Sequence, residues 1–214
     1  MMRKKTKIII YILIVLVTTF KIQTVTAIEG PTVDEIINYL EATIPEATGI
    51  KTNFSAKLLG KQVEGTKQEK YKIKIVNKEL IIIEKNNTRF AKTIKDNQPL
   101  STSQSRITEV IKMENVNPKI TLTYKTAPLE GDDVMKAIYP SHIKIKIKAK
   151  QNNKWKVYNN DIEQVTSMLN QTSQNCPISH YEAQSCMLFT TDETAAENIA
   201  KALSHLILLC GKKK

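Results

Sequence analysis

Four lysines alternate with apolar residues over Ile143-Lys144-Ile145-Lys146-Ile147-Lys148-Ala149-Lys150. In an extended strand successive side chains leave opposite faces. Lys144, Lys146, Lys148 and Lys150 therefore fall on one face, and the isoleucines and Ala149 on the other. Such a row of ammonium groups can hold an acidic polymer or anionic lipid headgroups. Its ordinary alternative is a solvated sheet face whose lysines block edge-to-edge aggregation.

The second cluster with chemical potential is Cys176, His180 and Cys186, with Cys210 further on. Structural zinc sites want four ligands, commonly in close pairs, and a C-x₃-H spacing with a distant third ligand is a poor match. A cysteine–histidine nucleophile pair needs a third residue to orient the histidine, and none is identifiable. Three cysteines in an oxidising compartment read instead as one disulfide and one spare thiol, with Cys176, Cys186 and Cys210 all candidates and the pairing open. His142 and His205 stand singly beside apolar runs, as structural or solvent-facing histidines do. No metal and no cofactor is expected.

Other catalytic signatures are missing. There is no G-x-S-x-G, no H-E-x-x-H and no phosphate-cradling glycine loop, and the chain has only six glycines. Asp132-Asp133 adjoins Gly131 and reads as a turn; Asp34-Glu35 sits where a helix would begin, a position its dipole favours. These absences point to a non-enzymatic protein. An enzyme with a site assembled from scattered residues is the alternative.

The compartment follows from the N-terminus. Arg3, Lys4, Lys5 and Lys7 precede an apolar run from Ile8 to Phe20, and a short polar stretch ends at Val25-Thr26-Ala27. Charged, apolar, then cleavable is the order of a secretory signal, here residues 1–27. The run is shorter than the ~20 residues a membrane-crossing helix needs. The mature chain is expected to begin at Ile28 and to be secreted or periplasmic, touching membrane only transiently through the signal; an uncleaved, tethering helix is the alternative.

That cleavage also reinterprets the formal net charge of +11: five positive charges leave with residues 1–27, leaving +6, and the basic tail 212–214 accounts for three more. Only Arg3, Arg89 and Arg106 are arginines among the 32 basic residues. Base-edge and phosphate recognition in nucleic acids leans on the guanidinium fork, so no nucleic acid is expected as a partner. A protein or an envelope component is.

The elements that must position these residues can be read from periodicity. Thr32 and Glu35 have capping-box spacing, and Val33, Ile36, Ile37, Leu40 and Ile44 recur at helical intervals before Pro45, which should stop the helix. From about residue 70 to 160 the period becomes two: Tyr71–Ile75, Leu80–Ile83 after a turn-like Asn77-Lys78, Arg89–Ile94, Ile107–Met113, Ile120–Tyr124, Ile143–Ala149 and Trp155–Tyr158. Asn97–Ser105 and Ala127–Tyr139 read as long loops, and Asp161–Leu169 as a short helix or a loop. Cys186–Phe189 reads as a last buried strand. A final helix follows a cap at Thr190 or Asp192, holds Ala195, Ala196, Ile199, Ala202, Leu203, Leu206 and Cys210 on one face, and ends at Gly211 in a left-handed cap.

Helix, about seven strands, then a long amphipathic helix: this order, with Phe189-Thr190-Thr191-Asp192-Glu193-Thr194-Ala195-Ala196-Glu197 leading into the helix, resembles the pleckstrin-homology-like superfold. The resemblance covers residues 70 to 210 and implies a bent antiparallel barrel plugged by the last helix. It carries no functional motif. The expectation is one α+β domain over 28–211: an antiparallel sheet or small barrel of about seven strands closed by a C-terminal amphipathic helix, with an additional N-terminal helix.

Overall fold

The computed structural model describes residues 30–58, 61–97, 99–126, 129–131, 135–164, 174–175 and 179–211. The proposed signal, residues 1–27, lies outside them, as do Asp132-Asp133 and the tail 212–214. The chain divides into Met1–Thr32 and Val33–Lys214, and the account below concerns the latter.

The fold is α+β. Helix α1 spans Val33–Ala47, and the strands are β1 Gly49–Leu58, β2 Lys61–Val76, β3 Leu80–Thr93, β4 Pro99–Lys112, β5 Thr121–Lys125, β6 Leu129–Gly131, β7 Met135–Ile138, β8 His142–Lys148, β9 Trp155–Gln164, β10 Gln174–Asn175, β11 Ser179–Ala183 and β12 Ser185–Thr190. Helix α2, Glu193–Cys210, follows β12, and a 3₁₀ turn covers Met113–Asn115. The strands form two antiparallel sheets. The larger runs β10-β9-β4-β3-β2-β1-β7-β6, with β11 also paired to β9; the smaller runs β12-β8-β5. Among the described residues neither sheet closes into a barrel.

The β2–β3 hairpin shows why the large sheet forms. Asn77 and Lys78 have φ of 52° and 57°, the left-handed pair at the centre of a primed turn, here within the three-residue connection 77–79. Glu79 N–H donates to Val76 O at 3.0 Å. Beyond the turn Ile75↔Ile81, Ile73↔Ile83 and Tyr71↔Lys85 face each other in register. Tyr71, Ile73 and Ile75 are buried while Lys70, Lys72 and Lys74 are exposed, so the alternation read from the sequence is the real face assignment.

Several elements differ from the sequence reading. The long strands begin and end in polar sequence: β1 and the first half of β2 were not legible, β4 starts at Pro99 inside the expected loop, and β9 continues through Asp161 to Gln164 where a helix or loop was expected. Ladder pairing to a neighbour supplies the order that local propensity does not. Residues 165–169 lie outside the described residues. Ala127–Tyr139 likewise contains β6 and β7, held as a hairpin against β1. Pro45 does not stop α1, which runs on to Ala47. A proline in the last turn forfeits only its own N–H bond, and Thr48 N–H and Oγ1–H still close the helix on Ile44 O at 3.0 and 2.6 Å. Gly211 has φ −80° and is not left-handed. Its lack of a side chain matters for a different reason, since a Cβ there would come within 2.5 Å of Ile207 O.

Helix α2 is capped by Asp192, whose carboxylate accepts from Ala195 N–H at 2.9 Å. Thr190 serves another purpose: Oγ1 donates to Ala47 O at 2.6 Å and accepts from Asp192 N–H at 3.0 Å, tying the two helix ends together. The core joins Ile36, Leu40 and Ile44 of α1, Ile199, Leu203 and Leu206 of α2, Ile73 and Ile75 of β2, Ile81 and Ile83 of β3, and Ile143, Ile145 and Ile147 of β8. A separate small cluster, Phe54, Val63 and Ala91, lies further along β1, β2 and β3.

Candidate functional site

The apolar side of β8 is what fixes its lysines. Ile145 and Ile147 are completely buried, so the alternate side chains must point the other way. Lys144 and Lys146 are half-buried and Lys148 exposed. β8 is the central strand of the small sheet, paired on one side with β12 and on the other with β5. The lysines therefore do not block an edge, and of the ordinary reading only the solvated sheet face stands.

Register supplies their neighbours. Phe189, Met187 and Ser185 of β12 lie opposite Lys144, Lys146 and Lys148, and Thr123 and Thr121 of β5 lie opposite Lys144 and Lys146. The Lys144 ammonium is 5.6 Å from the Phe189 ring centre, within cation–π range. Met187 is 42% exposed. The face thus combines ammonium groups with hydroxyls and a thioether.

Lys150 departs from the row. The strand ends at Lys148, Ala149 bridges Val116, and Lys150 lies in the turn beyond, its ammonium donating to Glu114 O at 2.6 Å. It is nonetheless brought together with Lys146 and Lys148. These three, with Gln151, Gln184 and Ser185, line an open recess of about 350 Å³. Among the described residues, Lys144, Lys146 and Lys148 form no ion pair; in the large sheet Lys67, Lys85 and Lys92 do, whereas Lys70, Lys72 and Lys74 of β2 do not.

The cysteine and histidine candidates are placed apart. Cys186 is buried in the core, a free thiol hydrogen-bonded to the Glu109 carboxyl. Burial first, then the Glu109 charge, raise its pKa well above the ordinary value, which disfavours the reactive thiolate. Cys210 is a free, half-buried thiol at the end of α2. Cys176 lies outside the described residues. His180 is exposed on β11 opposite Tyr158. His142 is buried, with Nδ1 2.8 Å from Pro140 O and its ring edge-on to Phe189. Among the described residues no three histidine, cysteine or acidic side chains converge as metal ligands, and no helix is long and apolar enough to cross a membrane.

Sequence reasoning missed an interior charge cluster. Glu69 accepts from Tyr71 Oη at 2.8 Å and pairs with Lys67 and Lys85, each at 2.8 Å. Burial pushes its carboxyl up, but Lys85 and Lys67 outweigh it and hold the pKa below the usual range. Nearby Glu109 accepts from Trp155 Nε1 at 2.6 Å, and there burial prevails and raises the pKa. A signal was available: Glu69 shares the inward parity of Tyr71, Ile73 and Ile75, and Glu109 that of Ile107 and Ile111. An acid at an inward position must find partners or lose its charge.

Compared with known proteins, the chain matches no family model, no curated protein and no solved structure.

Proposed function

We propose that the protein is an exported binding domain, without chemistry of its own, that holds an anionic partner through the lysine-bearing face of its small sheet. The partner is a protein or an envelope component. One observation carries the reading: Lys144, Lys146 and Lys148 stand in a row on a strand paired on both sides, with no ion pair among the described residues, and Lys146 and Lys148 converge with Lys150 on one open recess. Three adjacent ammonium groups repel one another, and an anion laid across them relieves that repulsion while making charge-assisted hydrogen bonds. Exposed Met187 adds an apolar contact beside the charges.

The export half of the reading rests on the N-terminal order of charge, apolar run and Val25-Thr26-Ala27. Protein recovered from cells with its native N-terminus should have the intact mass of Ile28–Lys214. A full-length mass would remove the export claim.

The binding half is tested by titrating the full chain with poly-L-glutamate and with vesicles containing anionic lipid, in low and in physiological salt. Exchanging Lys144, Lys146 and Lys148 together for glutamine should weaken anion binding at least tenfold, since each charge-assisted hydrogen bond is worth about 1.5–3 kcal/mol. Thermal unfolding should be almost unchanged, because these side chains face away from the core. Equal affinity for the triple variant and the parent would sink the reading.

A further inference from the structure

The recess at the end of the lysine row is built differently from the row itself. Lys148 lies opposite Ser185 in the β8–β12 register, which sets a hydroxyl beside its side chain. The rim is tied down by backbone bonds: Ala149 N–H to Gln184 O at 2.9 Å, Lys150 N–H to Asn115 O at 2.7 Å, and Asn153 N–H to Lys150 O at 3.0 Å. Asn152 closes the turn in the left-handed region, at φ 65°.

Lys150 is the telling residue. Its ammonium is anchored on the Glu114 carbonyl at 2.6 Å. That oxygen uses one of three N–H donors and cancels no charge, so two donors remain. A flexible lysine held in place in this way gives up less entropy when it takes an anion.

The donor set also selects among anions. No arginine lines the recess, so neither a carboxylate nor a phosphate meets a planar fork there, and the choice between them falls to charge and oxygen count. Instead there are three point charges, a serine hydroxyl and glutamine amides, arranged around about 350 Å³. A terminal phosphate carries about 1.5 to 2 negative charges and three diverging oxygens, and can satisfy several such donors at once. A carboxylate has one charge and two coplanar oxygens.

Building on the anionic-partner reading, we propose that the recess lined by Lys146, Lys148, Lys150, Ser185, Gln151 and Gln184 is a subsite for a terminal phosphate dianion. Two sources share that chemistry: the headgroup of a phosphomonoester lipid and the end of a soluble polyphosphate.

The test uses the full chain and calorimetric titration with inorganic tripolyphosphate, against poly-L-glutamate at equal charge. Vesicles of phosphatidylcholine carrying either phosphatidic acid or phosphatidylserine, matched in surface charge, form the lipid arm. Tripolyphosphate should bind about tenfold more tightly than polyglutamate, and Lys148→Gln should lose about tenfold. Ser185→Ala should lose about threefold, a neutral hydrogen bond's worth. Lys144→Gln, in the row but outside the recess, should lose less affinity than Lys148→Gln.

A preference for phosphatidic acid vesicles over phosphatidylserine assigns the lipid source. Tripolyphosphate binding with no vesicle preference assigns the soluble one. Polyglutamate binding as tightly as tripolyphosphate, or equal losses for Lys144→Gln and Lys148→Gln, would overturn the subsite while leaving the lysine face as an anion surface. Binding of no anion at all would overturn both.

Discussion

Leu203→Ala should lower the unfolding free energy by about 3–4 kcal/mol, because deleting a fully buried leucine side chain removes its transfer free energy and leaves a cavity. Leu203 has no exposed surface and sits among Ile199, Leu206 and Ile207 on the buried stripe of α2. That stripe is where α2 meets α1 and the small sheet, so the cavity would open between layers that have no other filling. Urea unfolding of the full chain checks it. A loss under about 1 kcal/mol would mean that α2 is not welded to the core and that the site collapses around the gap.

Glu69→Gln should cost about 2–3 kcal/mol at neutral pH, by leaving Lys85 partly buried beside a neutral group. The glutamine keeps the volume and can still accept from Tyr71, so the effect isolates the charge. Lys67 is 41% exposed and contributes little of it; Lys85, at 25%, contributes most. The pH dependence follows from the depressed pKa. The stabilisation is fully present above the ordinary glutamate value of about 4.3 and is lost as pH falls through the lower folded value. Glu109 has the opposite sign, since its raised pKa makes ionisation on the way to neutral pH unfavourable in the folded state. Comparing parent and Glu69→Gln in urea across pH 2–7 separates the two, because Glu109 is common to both. The difference between them should shrink below about pH 4. A difference that is constant over the whole range would rule out an ionised Glu69 in the fold.

These two sites illustrate what was legible in the sequence and what was not. Leu203 was plain, because a long helix with an apolar stripe carries its own signal. Ile143–Lys148 was equally plain, since a strand with one face in a core and one in solvent announces both faces. The mirror-image cases are the polar strands: Ser55 in β1, Thr66 in β2 and Ser101 in β4 belong to strands through their ladder partners on neighbouring strands, not through any alternation of their own. Glu69 and Glu109 sit between these extremes. Their inward parity could be read, but the partners that make a buried carboxylate tolerable come from other strands. The recess was invisible for a related reason: Lys150 is one period-two step beyond Lys148, and only the Glu114 carbonyl, reached through tertiary contact, draws it out of the row.

The double pairing of β8 has a consequence for selectivity. A strand hydrogen-bonded along both sides cannot slide or bend on its own, so its alternate side chains form a ruler with graduations about 6.6 Å apart. A pliant polyanion can adapt to that ruler only by giving up chain freedom, whereas a stiff one whose charges repeat near the same interval loses nothing. Discrimination among anions of equal charge would then be made by the pitch of the partner, read off by three lysines that move as one body.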